Sequence, residues 1–310
     1  MWFLETVLLA SHLVCFNISA AVPLLCIWLA WSGSAREDGD RSRAGRQLAG
    51  DAVAALLLGG LLGGGLVGLH WQVDRTRLFE VAGQLSSRVV FGAWEFLFSL
   101  VLMTIYFLWW PSLARGRWWH RVCHALLAVL AATNLLYHFP PLFTILSQLR
   151  TTGFVPQRVV DSAAFRSLLV SPEVVVPTIH YWLASLATAC VYVQCRCVGL
   201  VRSRAMTREK EQQIVVTARV ALAVTLLQIP GGVWLLMVLH PSQQALLLGG
   251  NLWSGATFVT ALVAVFALLH QLAAIAGGEV RRAAILKAAG LMLVVIGLMT
   301  LTLVSIRAET

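Results

Sequence analysis

Eight runs of mostly apolar residues occupy most of the chain, near 6–31, 49–71, 89–110, 119–146, 173–199, 214–240, 249–276 and 283–306. Each is long enough for a helix to cross the roughly 30 Å of bilayer hydrocarbon, which takes about 20 residues. Inside that hydrocarbon only helices and closed barrels satisfy every backbone polar group. The runs lack the strict alternation of barrel strands. The chain is therefore expected to be all-α, a polytopic transmembrane bundle of about eight spans. Composition agrees: 59% of the 310 residues are hydrophobic, 12% are charged, and mean hydropathy is +0.80, whereas soluble domains carry about a quarter charged residues.

The net charge of +9 sits in short loops rather than on a continuous face, which argues for a membrane and against nucleic acid. Loops after the odd-numbered spans carry twelve basic residues: Arg36, Arg41, Arg43, Arg46, Arg115, Arg117, Arg202, Arg204, Arg208, Lys210, Arg281 and Arg282. Those after the even-numbered spans carry six: Arg75, Arg77, Arg88, Arg150, Arg158 and Arg166. The positive-inside rule then puts both termini on the outer, periplasmic side of a bacterial inner membrane. Trp2 and Trp71 mark one interface, and Trp31, Trp109, Trp110, Trp118 and Trp119 the other. The N-terminus lacks the positive region of a cleavable leader and reads as an uncleaved first span. The six cysteines lie mostly in apolar runs, without the spacing of a disulfide framework, and no C-x-x-C-H is present for covalent haem attachment.

Span two carries Gly59, Gly60, Gly63, Gly64, Gly65 and Gly68. Small residues let helix backbones approach closely, and the same strip would also make a platform for a flat macrocycle. Pro230-Gly231-Gly232 is expected to kink span six. No internal repeat is evident, and phosphate loops, H-E-x-x-H and G-x-S-x-G are absent.

Ionisable groups inside a span are costly and mark functional sites. Taking 1.5 Å per residue, His12 lies about 9 Å below the outer start of span one and His180 about 10 Å into span five. Glu95 has a similar depth in span three. His70, His138 and His240 lie near outer span ends, and His120, His124 and His270 on the inner side. Five histidines and one carboxylate thus gather in the outer half. Small residues follow His12 (Cys15, Ser19, Ala20) and His180 (Ala184, Ala187, Thr188), leaving room for a porphyrin plane over an imidazole bound to iron. The haem reading requires such imidazoles, from separate helices, to converge around iron in the outer leaflet. Glu95 heads a face with Ser99, Met103 and Tyr106, suited to moving protons to a haem edge. His124 and His138, fourteen apart, would suit two stacked haems spanning the membrane, but no second helix carries a matching pair, and packing or surface roles suit these two better. His70 and His240 read as headgroup residues.

In the same order along the chain, Ser11-His12-Leu13, Gly65-Leu66-Val67-Gly68-Leu69-His70-Trp71, Val90-Phe91-Gly92-Ala93-Trp94-Glu95-Phe96-Leu97, Trp119-His120, Asn134 and Val176-Pro177-Thr178-Ile179-His180-Tyr181 resemble elements of subunit I of cytochrome bd oxygen reductases. The resemblance implies a haem-binding region in residues 1–205, with 206–310 adding three further spans to one membrane domain. It implies that His12 ligates a haem of the oxygen-reducing pair and His180 a low-spin haem b, with haem d a candidate second type. It makes Glu95 the catalytic proton-carrying carboxylate and His120 a recurrent span-four histidine. The sequence also departs from the family. Met103 stands where a second acid belongs, and no methionine lies near Trp253–Phe258. The outer loop that forms a quinol site is reduced to about His240–Gly249, and a ninth span is missing.

Three readings stay open: a bd-like haem subunit fed by an external, cytochrome c-like donor and accompanied by other membrane subunits; a b-type electron conduit without oxygen chemistry; and a haem-free transporter or scaffold. The orientation is testable on its own. A phosphatase active only outside the inner membrane should be active when fused after Thr310 and silent after Ala205, and the reverse pattern would invert the topology.

Overall fold

The computed structural model describes residues 2–32, 40–73, 77–111, 118–151, 160–199 and 207–309. Arg36, Arg75, Arg115, Arg117, Arg158, Arg202 and Arg204 of the orientation argument lie outside them. Along the chain come α1 (Trp2–Ser32), α2 (Asp40–Val73), α3 (Arg77–Gln84), α4 (Ser86–Trp109), α5 (Trp118–Thr151), α6 (Ser162–Leu169), α7 (Pro172–Gly199), α8 (Arg208–Val238), α9 (Pro241–Ala245), a π-helical turn (Leu246–Gly250), α10 (Leu252–Ala276) and α11 (Arg282–Ala308). Among the described residues there is no strand. Eight of these helices are long and apolar enough to span a membrane, and they coincide with the eight expected runs. The chain is a multi-pass helical membrane protein.

The second span begins earlier than its hydropathy indicates, at Ala44 rather than near 49. Elsewhere, helix starts follow local chemistry. Asp161 accepts from Ala163 N and Ala164 N to cap α6, Thr207 from Lys210 N to cap α8, and Asn251 from Ser254 N to cap α10. Each satisfies backbone donors that a helix start leaves orphaned. Gly249, at φ 120°, makes the left-handed turn between the π-helical segment and α10.

The spans close into two rings of four. In the first, α1 packs on α2, α2 on α4, α4 on α5, and α5 back on α1. In the second, α7 packs on α8, α8 on α10, α10 on α11, and α11 back on α7. The rings meet where α1 touches α7 and α11, and where α5 touches α7. The fifth span, α7, thus closes a ring with the last three while also touching the first ring.

The chain is also an internal repeat. Adding 168 to a residue number in α1 or α2 gives its counterpart in α7 or α8, so that 12 becomes 180, 17 becomes 185, 40 becomes 208, and the Gly63-Gly64 pair becomes Gly231-Gly232. Because four spans separate the counterparts, α1 and α7 run in the same direction, the arrangement of parallel repeats.

Small buried residues line the contact between rings, with Ala20, Ala21, Val22, Ala189 and Cys190 each at most 1% exposed. Five prolines lie inside spans: Pro23, Pro140, Pro141, Pro177 and Pro230. Each removes the N–H that would reach the carbonyl four residues earlier. For Pro140 that carbonyl is Leu136, and the Trp182 indole N–H of α7 donates to it at 2.8 Å, tying the rings together through a bond the proline makes available. Trp182→Phe should therefore cost about 1 kcal/mol of stability. In a Pro140→Ala background, where the helix satisfies Leu136 itself, the loss should shrink. A double-mutant cycle of thermal unfolding in detergent measures this, and equal losses in the two backgrounds would refute the coupling.

Candidate functional site

His12 projects from α1 onto the glycine strip of α2. Its Nδ1 lies 2.8 Å from the Gly59 carbonyl oxygen, and because a carbonyl only accepts, Nδ1 carries the proton. Nε2 keeps its lone pair. A backbone carbonyl fixing one ring nitrogen while the other stays free is the usual arrangement of a metal-binding histidine. The ring also occupies the space over Gly63, where an added Cβ would meet its Cε1 at 2.9 Å. Gly59 and Gly60 are filled in the same way, by Phe16 and by Phe96 of α4. Gly64, Gly65 and Gly68 have open space above them. The strip thus does both things the sequence allowed: three glycines serve close packing and three leave a bare surface.

Glu95 reaches this region through its neighbour. The Phe96 ring lies 6.4 Å from Phe16, which lies 4.7 Å from His12. Asn134 of α5 donates to the Glu95 backbone carbonyl at 2.9 Å and to Ser99 Oγ at 2.8 Å, locking the α4–α5 register at this level. The expected face continues inward through Ser99, Met103 and Tyr106, all buried. His138 lies one turn outward of Asn134, its ring edge-on to Phe91 and Tyr137.

The inner histidines differ from one another. His124 is 2% exposed, donates from Nε2 to the Tyr106 carbonyl at 2.9 Å, and stacks on the Tyr106 ring at 3.9 Å with Trp110 edge-on. That is how a packed imidazole is satisfied. His120 lies against Trp119 and Trp109, with a buried Nδ1 that has no hydrogen-bond partner. His70 pairs with Glu5 at 3.4 Å across the outer ends of α2 and α1, in keeping with an interfacial role.

His180 stands in the second ring at the position His12 holds in the first. Its Nδ1 is buried and unpartnered, as is Gln228 Nε2 on α8. Cys197 pairs with Gln213 across α7 and α8, a register that sets His180 level with Pro230. Gly231 and Gly232 there have open space where a Cβ would lie. Two orphaned polar atoms beside a bare glycine pair are what a bound flat group would complete.

A buried hydrogen bond, Ser185 Oγ to Asn17 Oδ1 at 2.9 Å, fixes α1 against α7. Both histidines lie five residues outward of it, hence at one depth. Five residues also turn each side chain by about 140° from the contact. Since the helices are parallel, the two imidazoles point to opposite sides of the pair. They do not converge, contrary to the sequence expectation: each faces into its own ring, and they serve two sites.

These donors suit haem. Among the described residues no group of three or more His, Cys, Asp or Glu could hold a bare metal ion, whereas porphyrin iron brings four nitrogens and asks the protein only for axial ligands. His12 Nε2 and the His180 ring are donors of that kind, and the open glycines would leave room for the plane.

What the fold and the two histidines define is a polytopic helical membrane protein built as two fused four-helix rings. No protein-family model and no curated protein matches the chain. Among solved structures it is similar to a chain of the bd oxidase from Geobacillus thermodenitrificans, with a TM-score of 0.69 and 15% identity over 97% of this chain and 83% of that one. The fold is therefore that of a bd oxidase chain, as the ordered residues had indicated.

Several polar residues that the sequence argument passed over occupy membrane depth: Asn17, Asp51, Tyr181, Ser185, Tyr192 and Gln228. Tyr181, Ser185 and Tyr192 share one face of α7, and of the six Asp51 alone is charged. At the glycine strip, Gly63→Ala should destabilise the protein, because the methyl meets an imidazole pinned by Gly59. Gly64→Ala, facing open space, should be neutral or stabilising by up to about 1 kcal/mol. Melting temperatures of the two variants should shift in opposite directions, and equal shifts would count against the His12 placement.

Proposed function

We propose that this chain is a haem-binding subunit of a bd-oxidase-like respiratory complex in a bacterial inner membrane, with its termini and both haem positions toward the outer side. The observation that carries this is the pair of outer-half histidines at one depth, one per ring, each beside open glycines in a bd oxidase fold. His12 holds one haem through Nε2, oriented by Gly59. His180 holds a second, of b type, in the α7–α8 cradle. Bound haem supplies the iron that accepts and passes electrons, and a haem d in the first ring would make oxygen the acceptor.

The chain's own residues do the rest. Glu95, whose backbone carbonyl Asn134 holds, and Ser99, whose hydroxyl it holds, stand where protons would pass toward the first ring's site. Apolar residues of the first core cluster keep bulk water from it. Only thirteen residues join α8 to α10, ten of them taken up by α9 and the π-helical turn, leaving little for a quinol site. Electrons are thus better supplied by a cytochrome c-like protein outside the membrane, with further membrane subunits alongside. A transmembrane conduit would need an inner haem as well. His124 is committed to Tyr106, which leaves His120, with its unpartnered Nδ1, and the exposed His270 to serve that alternative.

Reduced-minus-oxidised spectra of the purified protein should show b-type bands, with or without a d-type band. His180→Ala and His12→Ala should each abolish a different component. A wild-type protein without haem absorbance, or two variants losing the same band, would overturn the proposal.

A further inference from the structure

One face of α7 carries a hydroxyl or charged group at every turn: Tyr181, Ser185, Thr188, Tyr192 and Arg196, at intervals of four, three, four and four residues. Residues so spaced are neighbours about 5–6 Å apart on a helix surface, and the series covers roughly 22 Å of its length. The face lies against the other ring and α11, where a hydrophobic seam would serve packing equally well. At the inner end, one turn beyond Tyr192, Arg196 forms an ion pair with Asp51 of α2 at 2.8 Å. At the outer end, one turn beyond Tyr181, Ser185 donates to Asn17 of α1.

Thr188 is the link between the two ends. Thr178, Thr217 and Thr225 turn their hydroxyls back on the carbonyl four residues earlier, which is how a threonine is satisfied in a dry span. Thr188 instead points across the seam to the Met292 sulfur at 3.9 Å, a weak acceptor. Its hydroxyl is 5% exposed at the residue level and short of strong partners. One water on either side would complete it and join the ladder.

We propose that this seam is a proton-conducting ladder, admitting protons at the Asp51–Arg196 pair on the inner side and delivering them to Tyr181 and Asn17, between the two histidine positions. Each step is a hop along hydroxyls and bridging waters, one proton entering from inner water for each released above. The delivery role rests on the haem reading, but the hydration of the seam does not.

Two measurements separate these. In nanodiscs, hydroxyl-radical footprinting should oxidise Tyr181 and Tyr192 while the buried Met103 stays protected. Thr188→Val should lower Tyr181 labelling at least fivefold, with Tyr192→Phe as a second variant if the first does not fold. Tyr181 as protected as Met103 in the wild type would mean dry packing and overturn the ladder. In liposomes, reduction by a membrane-permeant donor should draw protons from the inner side, at least tenfold more slowly in Thr188→Val with unchanged haem spectra. Unchanged uptake would overturn the delivery role even in a hydrated seam. Absent haem bands would sink the function proposed above and leave the footprint to decide the seam alone.

Discussion

A polar side chain surrounded by hydrocarbon is costly unless another group satisfies it, and this makes the Asn17–Ser185 hydrogen bond the pivot of the molecule. It is sealed from solvent and joins the first helix of one ring to the first helix of the other. It fixes their relative height and rotation together. Everything described at the outer-half sites depends on that setting, including the common depth of His12 and His180 and their opposed directions. Had the contact slipped by one turn, the histidines would differ in depth by about 5 Å.

The fold was largely legible in the sequence because the bilayer permits so few solutions. Eight apolar runs left one architecture, and the structure moved their ends by only a few residues. Asp51 shows where such reasoning fails. It lies within the expected run 49–71, yet nothing along the chain announces that Arg196 of another span pairs with it. Partners on distant helices cannot be read from a linear sequence.

The sites were legible in part. Depth comes from counting residues, so His12 and His180 were expected level with each other, as the Asn17–Ser185 contact leaves them. Direction requires knowing which helix is the neighbour, so the expectation that these imidazoles meet was not sustained. His124 illustrates the same limit from the other side: its spacing from His138 looked like a pair of ligands, yet the Tyr106 carbonyl and ring account for it. The polar face of α7 was visible as spacing, but hydroxyls register as nearly neutral on any hydropathy scale.

The two rings share a plan and differ in how far each is filled. Over Gly63 the imidazole rests directly on the backbone, while the corresponding Gly231 faces empty space. A doubled scaffold with unequal occupancy lets one copy drift without losing the other. It also places an internal reference within a single polypeptide: any property measured at one outer histidine can be judged against its twin in the same membrane, at the same depth and in the same preparation.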